Sequence, residues 1–320
     1  MLRIHFTPED LTKVRVASGP DPLWETVFSI FRLRFQGPPL IFGRWQRATA
    51  GASRRRDLEV LMPLLPGGYF PDFLTPAEGS DGLEAGLEAL MRTPATRLRS
   101  ELTLLAQQRP RLPSWLGALA EGDAPTLGRV ADAMRARYQA VVEPIWPEVS
   151  AHIEADRAKR ARAFLDGGCD GLLRSYLPMM RWAPPVLEIT SFVYEHDLHL
   201  DGRGLVLMPS FLSWSTVDIL RDPALPPVLV YPIEHPIGGL PRPAAGNAPI
   251  AALIGSTRAA VLEAVGEGRT TSELSRRVGV SAASISAHTA VLREAGLLRT
   301  SRIGKAVLHT TTPLGLALLE

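Results

Sequence analysis

The chain has 320 residues, 46% hydrophobic and 21% charged, with a formal net charge of +2; this leaves room for more than one ordinary core and excludes a disordered or acidic solvating chain. The longest apolar stretch, Leu205 to Leu220, is broken by Pro209 and Asp218, so no membrane span is expected. One cysteine, Cys169, rules out an internal disulfide and a thiolate zinc site, and an opening segment without a signal-peptide pattern makes the cytoplasm the expected location.

The first 180 or so residues read as helical. Thr7-Pro8-Glu9-Asp10 offers an N-cap, a first-turn proline and acids at the positive end of a helix. Asp21-Pro22 repeats the signal before LWETVFSIFRLRF, in which Trp24, Phe28, Phe31 and Phe35 recur on one face with Arg32 and Arg34 elsewhere. With Phe42 and Trp45 these aromatics read as core, the alternative being a sensor pocket. Helical patterns continue through Leu83 to Met91, Ala95 to Gln107, Leu127 to Val142 and Ile145 to Leu165, the last closed by Gly167-Gly168.

After Pro184-Pro185 the period changes to that of strands. VLEITSFVYEHDLHL and LVLMPSFLSW, joined at Asp201-Gly202-Arg203-Gly204, read as an antiparallel hairpin, followed by a third β-rich piece, PVLVYPIEH. Within the first of these, Glu195 to Asp201 interleaves three carboxylates with His196 and His199. Such a cluster is the best candidate for a metal-dependent or other enzyme, the competing reading being a solvated strand face beside a turn. Glu148, His152 and Asp156 share a helix face, as salt-bridged surface helices also do. The spacings match no metal motif, and nucleotide-binding and hydrolase motifs are missing, so neither catalysis nor a cofactor is expected. PIGGLPRPAAGNAP, residues 236–249, reads as a linker separating a helical and hairpin domain, 1–235, from residues 250–320.

The last seventy residues hold eight basic against five acidic side chains, leaving 27 against 28 upstream, so the positive excess is C-terminal. Ser256-Thr257 heads an apolar helix with Val261, Leu262 and Val265, closed by Gly266. Thr270 to Glu273 forms a T-x-x-E capping box before a short helix ended by Gly279. Ser281 then caps a third helix with a buried stripe of Ile285, Thr289 and Leu292, ended by Gly296. Helix, tight turn, helix is the helix-turn-helix arrangement. Leu297 to Ser301 and Ala306 to Thr311 read as strands of a wing around Arg302-Ile303-Gly304-Lys305. The fold class expected for the whole chain is therefore mostly α with a small antiparallel β part.

The stretch TTSELSRRVGVSAASISAHTAVLREAGLLRTSRIGKAVLHTTTPLG resembles the winged helix-turn-helix of ArsR-family transcriptional regulators over roughly residues 253–318, and the N-terminal part is similar to the long extension of some actinobacterial members. The resemblance implies a homodimeric repressor that binds a double-stranded DNA operator; because only Pro313 to Glu320 follows the wing, residues 1–235 are expected to serve dimerisation, effector sensing or both. Metal-sensing members carry cysteines on helix two, which here has none, so a small organic effector, or no effector, is expected rather than a metal. Where many members have a long polar residue after the serine at Ser286, this chain has Ala287. On this reading Ser281, Ser284, Ser286 and His288, with Arg293 further along, face base edges and phosphates in the major groove. Arg276 and Arg277 on helix two and Arg302 and Lys305 on the wing neutralise phosphates.

Overall fold

The computed structural model describes residues 1–320 apart from 36–37, 109–111, 191, 193–194, 236–247, 267, 304–305 and 320. The chain divides into two units, Met1–Pro241 and Arg242–Glu320. It is mostly helical, with small sheets of which only the C-terminal one is wholly antiparallel. The β part is thus mixed, not the antiparallel one expected. No helix among the described residues is long and apolar enough to cross a membrane.

The N-terminal unit begins with strand β1 (Leu2–His5), where a helical start was expected, then α1 (Pro8–Thr12) and β2 (Arg15–Val16). Leu2 and Ile4 are fully buried and Arg3 and His5 are not, a period of two that suits a strand. The helical body comprises α2 (Pro22–Arg34), α3 (Pro39–Thr49), α4 (Arg55–Leu64), α5 (Leu83–Met91), α6 (Ala95–Gln108), α7 (Trp115–Ala120), α8 (Ala124–Val141) and α9 (Trp146–Arg174). The last continues past its expected end, across a kink at Gly167 and Gly168.

Helix α2 is the centre of this body. Asp21 caps it by accepting from Leu23 N and Trp24 N (2.8 and 3.1 Å), with Pro22 in the first turn. Its surface is buried on every side from Pro22 to Arg32, so the expected amphipathic helix is instead an internal one. Burial of Glu25 is tolerated because its two carboxylate oxygens accept from Phe211 N and Leu212 N, at 2.7 and 2.8 Å. Arg137 of α8 is likewise buried and satisfied, donating to Ser29 Oγ, Ser29 O and Ser53 Oγ.

The strands that follow are β3 (Arg181–Ala183), β4 (Val186–Ile189), β5 (His196–His199), β6 (Val206–Ser210), β7 (Asp218–Ile219) and β8 (Val228–Pro232). They form two sheets ordered β3-β4-β1-β5 and β2-β6-β8-β7, with β1 parallel to β5 and β6 parallel to β2 and β8. The expected hairpin across residues 201–204 does not form, because β5 and β6 belong to different sheets. The turn is committed elsewhere: Gly204 N donates to Asp10 Oδ1 (2.8 Å), and Lys13 Nζ donates to Gly202 O (2.7 Å). Gly204 has φ +73, and a Cβ there would lie 2.5 Å from that of Lys13. Wedged against α1 and β2, the turn sends the chain into the second sheet.

The C-terminal unit contains α10 (Ala248–Ile254), α11 (Ser256–Val265), β9 (Arg269–Thr270), α12 (Thr271–Val278), α13 (Ala282–Glu294), β10 (Leu298–Ile303), β11 (Ala306–Thr311) and α14 (Pro313–Leu319). Helix α10 starts within the segment read as linker, and residues 236–247 of that segment lie outside the described residues. The unit has its own core of Val261, Leu262, Val265, Leu274, Ile285, Leu292, Leu297 and Leu298. Strand β9 adds a third strand to the wing, pairing Thr270 with Leu308 and Arg269 with His309.

Candidate nucleic-acid interface

Helix α12 starts as its capping box requires. Thr270 Oγ1 accepts from Glu273 N (3.4 Å), and the Glu273 carboxylate accepts from Thr270 N (2.8 Å). These bonds to Thr270, with the charges of Arg269 and Arg276, hold the Glu273 carboxyl below its ordinary range. The helix ends at Gly279 in the left-handed region (φ 76), and Ser275 Oγ donates across the turn to Val280 O at 2.6 Å. Ser281 then caps α13 by accepting from Ser284 N (3.2 Å). The buried stripe of α13 is Ile285, Thr289 and Leu292, as the sequence implied, and Thr289 Oγ1 donates to Ile285 O (2.9 Å).

A rotation of about 100° per residue then fixes what α13 turns outward. Ala283 and Ala287 lie opposite the buried stripe and are exposed. Ser286 and Arg293 occupy one shoulder of that face and are exposed, whereas Ser284 and His288 occupy the other and are half-buried. The five side chains expected to meet DNA from this helix therefore do not form one patch. Ser281 is spent on the cap, and two pairs flank a central strip of alanine. That strip was absent from the expected set. Its signal in the sequence is the run of small residues at Ala282, Ala283, Ser286 and Ala287, which lets a helix backbone approach a groove floor closely and offers methyl groups to thymine.

Arg276 and Arg277 project from the last turn of α12, and Arg302 from β10 where it pairs with Val307. All three are exposed and form no ion pair among the described residues. Lys305 lies outside the described residues.

One positioning residue escaped the sequence reading. His309 of β11 is 4% exposed and stands between two hydroxyls, Thr271 Oγ1 at 3.1 Å from Nε2 and Thr300 Oγ1 at 3.1 Å from Nδ1. It links the start of α12 to both wing strands. Burial, with the nearby charge of Arg293, holds its pKa below the ordinary value, favouring the neutral ring.

Several side chains of the rival chemical clusters are committed to structural contacts, although Glu148 Oε2 is buried without a partner. Asp197 takes two hydrogen bonds from Arg3 (2.8 and 2.7 Å) and lies 2.7 Å from His5 Nε2, contacts that hold its carboxyl well below the usual range. His5 in turn stacks on His199 at 4.3 Å. Of the α9 trio, His152 Nδ1 donates to the Glu148 backbone carbonyl (2.7 Å), while Asp156 is buried in a pair with Arg160 (3.0 Å) and accepts from Tyr231 Oη (2.6 Å). Burial, and then the charge of Asp170, push the Cys169 thiol up, away from a reactive thiolate.

No curated protein and no solved structure gives a significant match to the chain. Residues 254–301, from the end of α10 through α13 into the first wing strand, match the family model described as a helix-turn-helix domain. By sequence match and by geometry alike, the C-terminal unit of this chain carries a helix-turn-helix domain.

Proposed function

We propose that the chain is a sequence-specific DNA-binding transcriptional repressor of ArsR-like type, cytoplasmic and without enzymatic activity. Residues 250–320 read an operator as a homodimer, and residues 1–235 supply dimerisation and effector sensing. The observation that carries the reading is α13. It is capped and exposed along a strip of small residues, and the same unit presents Arg276, Arg277 and Arg302, exposed and without an ion pair among the described residues. A major groove about 12 Å wide accepts such a helix, and exposed cations at its edges meet phosphates. Two-fold symmetry gives two such helices one DNA turn apart.

Footprinting of the full-length protein on the DNA upstream of its own coding sequence tests this reading. A protected, near-palindromic site held against competitor DNA, together with a dimer mass in light scattering and lower transcription from that promoter in vitro, is the expected result. Equal affinity for operator and competitor sequences removes the claim of sequence-specific regulation.

A further inference from the structure

A cavity of 390 Å³ opens in the N-terminal unit beside the C-terminal half of α2. Its size falls among those of small-molecule sites. The walls are aromatic: Phe28 and Phe31 of α2, Phe70, and Trp214 from the loop between β6 and β7. Phe31 and Phe70 meet edge-on at 5.9 Å, and Phe28 adjoins Phe31 at 6.1 Å, so the apolar surface is continuous. These side chains come from three separate segments of the chain.

Arg32 also lines the cavity and is only 6% exposed. Its Nε is fully buried without a hydrogen-bond partner, and its guanidinium forms no ion pair among the described residues. The Phe42 ring, 5.6 Å from Cζ, is a weak substitute for an acceptor. The two other buried arginines among the described residues are satisfied, Arg137 by Ser29 and Ser53, and Arg160 by Asp156 and Ser175. Burying this guanidinium without a hydrogen-bond acceptor is destabilising, and the charge of Asp218, which forms no ion pair with it, offsets that only in part. Asp218, also on the cavity wall, feels the charges of Arg221 and Arg32 without an ion pair to either. Burial pushes its carboxyl up to about 7, so near neutral pH a fraction is protonated and able to donate. Arg221 and Asp72, also lining the cavity, add one charge of each sign, and Asp72 Oδ2 is already engaged by Arg221 N and Asp222 N (2.8 and 2.7 Å).

We propose that this cavity binds a small aromatic carboxylic acid, its ring between Phe28, Phe31, Phe70 and Trp214 and its carboxylate on Arg32. Guanidinium and carboxylate match as a planar, charge-assisted pair, and the aromatic walls supply the apolar burial. Control of DNA binding by this ligand rests on the regulator reading above; occupancy of the cavity does not.

The test is a calorimetric titration of the full-length protein, without DNA, so its failure is distinct from failure of the regulator reading. The probes are benzoate, indole-3-acetate and 2-naphthoate, with 2-naphthamide as the uncharged counterpart. The expected result is saturable binding of at least one acid, one per chain, with quenching of tryptophan fluorescence and roughly tenfold or greater weakening for the amide or for Arg32→Met. Arg32→Met is expected to leave the melting temperature unchanged or raise it, because an apolar side chain replaces an unpaired buried charge. Should that variant fail to fold, Arg32→Lys provides the second reading, with weaker acid binding and a native melt. Three results overturn the proposal: no saturable binding by any acid up to roughly 1 mM, equal affinity for acid and amide, or a clear loss of stability in Arg32→Met with binding unchanged.

Discussion

Replacing Arg276, Arg277 and Arg302 together by glutamine gives the sharpest test of how the C-terminal unit grips DNA. All three are exposed and without ion pairs among the described residues, so each is free to neutralise one phosphate. Each phosphate contact contributes about 0.9 to the slope of log affinity against log salt, so three contribute about 2.7 per chain and about 5 per dimer. Between about 50 and 200 mM salt each contact corresponds to roughly a 3.5-fold loss of affinity, and three to roughly 40-fold per chain. Glutamine keeps the helix propensity of α12, and the capping box of Thr270 and Glu273 at the other end is untouched. Because Arg276 and Arg277 lie in the last turn of that helix, losing their interaction with its dipole costs about 0.3–1 kcal/mol each, too little to unfold the unit. Fluorescence anisotropy on any duplex suffices, since the term is independent of sequence. A native melt with an unchanged salt slope refutes the assignment of these arginines to phosphate.

Three further outcomes are expected. Ala287→Gln, at the centre of the exposed strip of α13, changes the ranking of operator variants, each altered base contact being worth about 1–3 kcal/mol, whereas Ser284→Ala on the half-buried shoulder changes it less; competition binding over a randomised site decides, and the reverse order moves the reading face. His309 has a folded-state pKa below its ordinary value, so its contribution is complete above about 6.5 and is lost as pH falls below it, when the unfolded chain takes up the proton more readily. Amide exchange across Leu298–Thr311, corrected for intrinsic rate, therefore quickens toward pH 5 in the parent protein and changes less in His309→Gln; identical profiles contradict this. In Gly315→Ala a Cβ would stand 2.2 Å from the Leu297 carbonyl oxygen, forcing α14 off the start of β10 at a cost of about 1–3 kcal/mol, read as lost exchange protection in α14; unaltered protection refutes the tight approach.

What was legible in the sequence follows from how local each determinant is. The C-terminal unit could be read almost element by element because its signals lie within three or four residues of what they control: Thr270 with Glu273, Ser281 with Ser284, and the stripe Ile285, Thr289, Leu292. His309 was missed because its partners, Thr271 and Thr300, come from two other elements. In the N-terminal unit the helices with strong caps were recognisable, but strand partners were not. Leu2 pairs with His196 and with Ile189, choices between distant segments that no local pattern encodes. The hairpin expectation failed because Asp10 and Lys13, nearly two hundred residues earlier, hold the glycine turn. The aromatic stripe carried more than one meaning: Trp24 packs into the core, Phe28 and Phe31 are buried and also line a cavity, and Phe35, just past the end of α2 and 55% exposed, lines that cavity without joining the core expected of it. Only the arrival of residues 69–72 and 213–221 separates these roles.

Thr270 occupies two structures with one backbone: it is the last residue of β9, in register with Leu308, and the cap of α12. Insertion or deletion of a single residue at the junction of β9 and α12 therefore cannot be absorbed as slack, because no residue separates them. A shift of one would turn the partner of Leu308 to the opposite face of the sheet and carry the helix start with it. Natural length variants and engineered loop grafts should then be excluded from Arg269 to Thr271, so that the third wing strand and the helix that follows it move only as one piece.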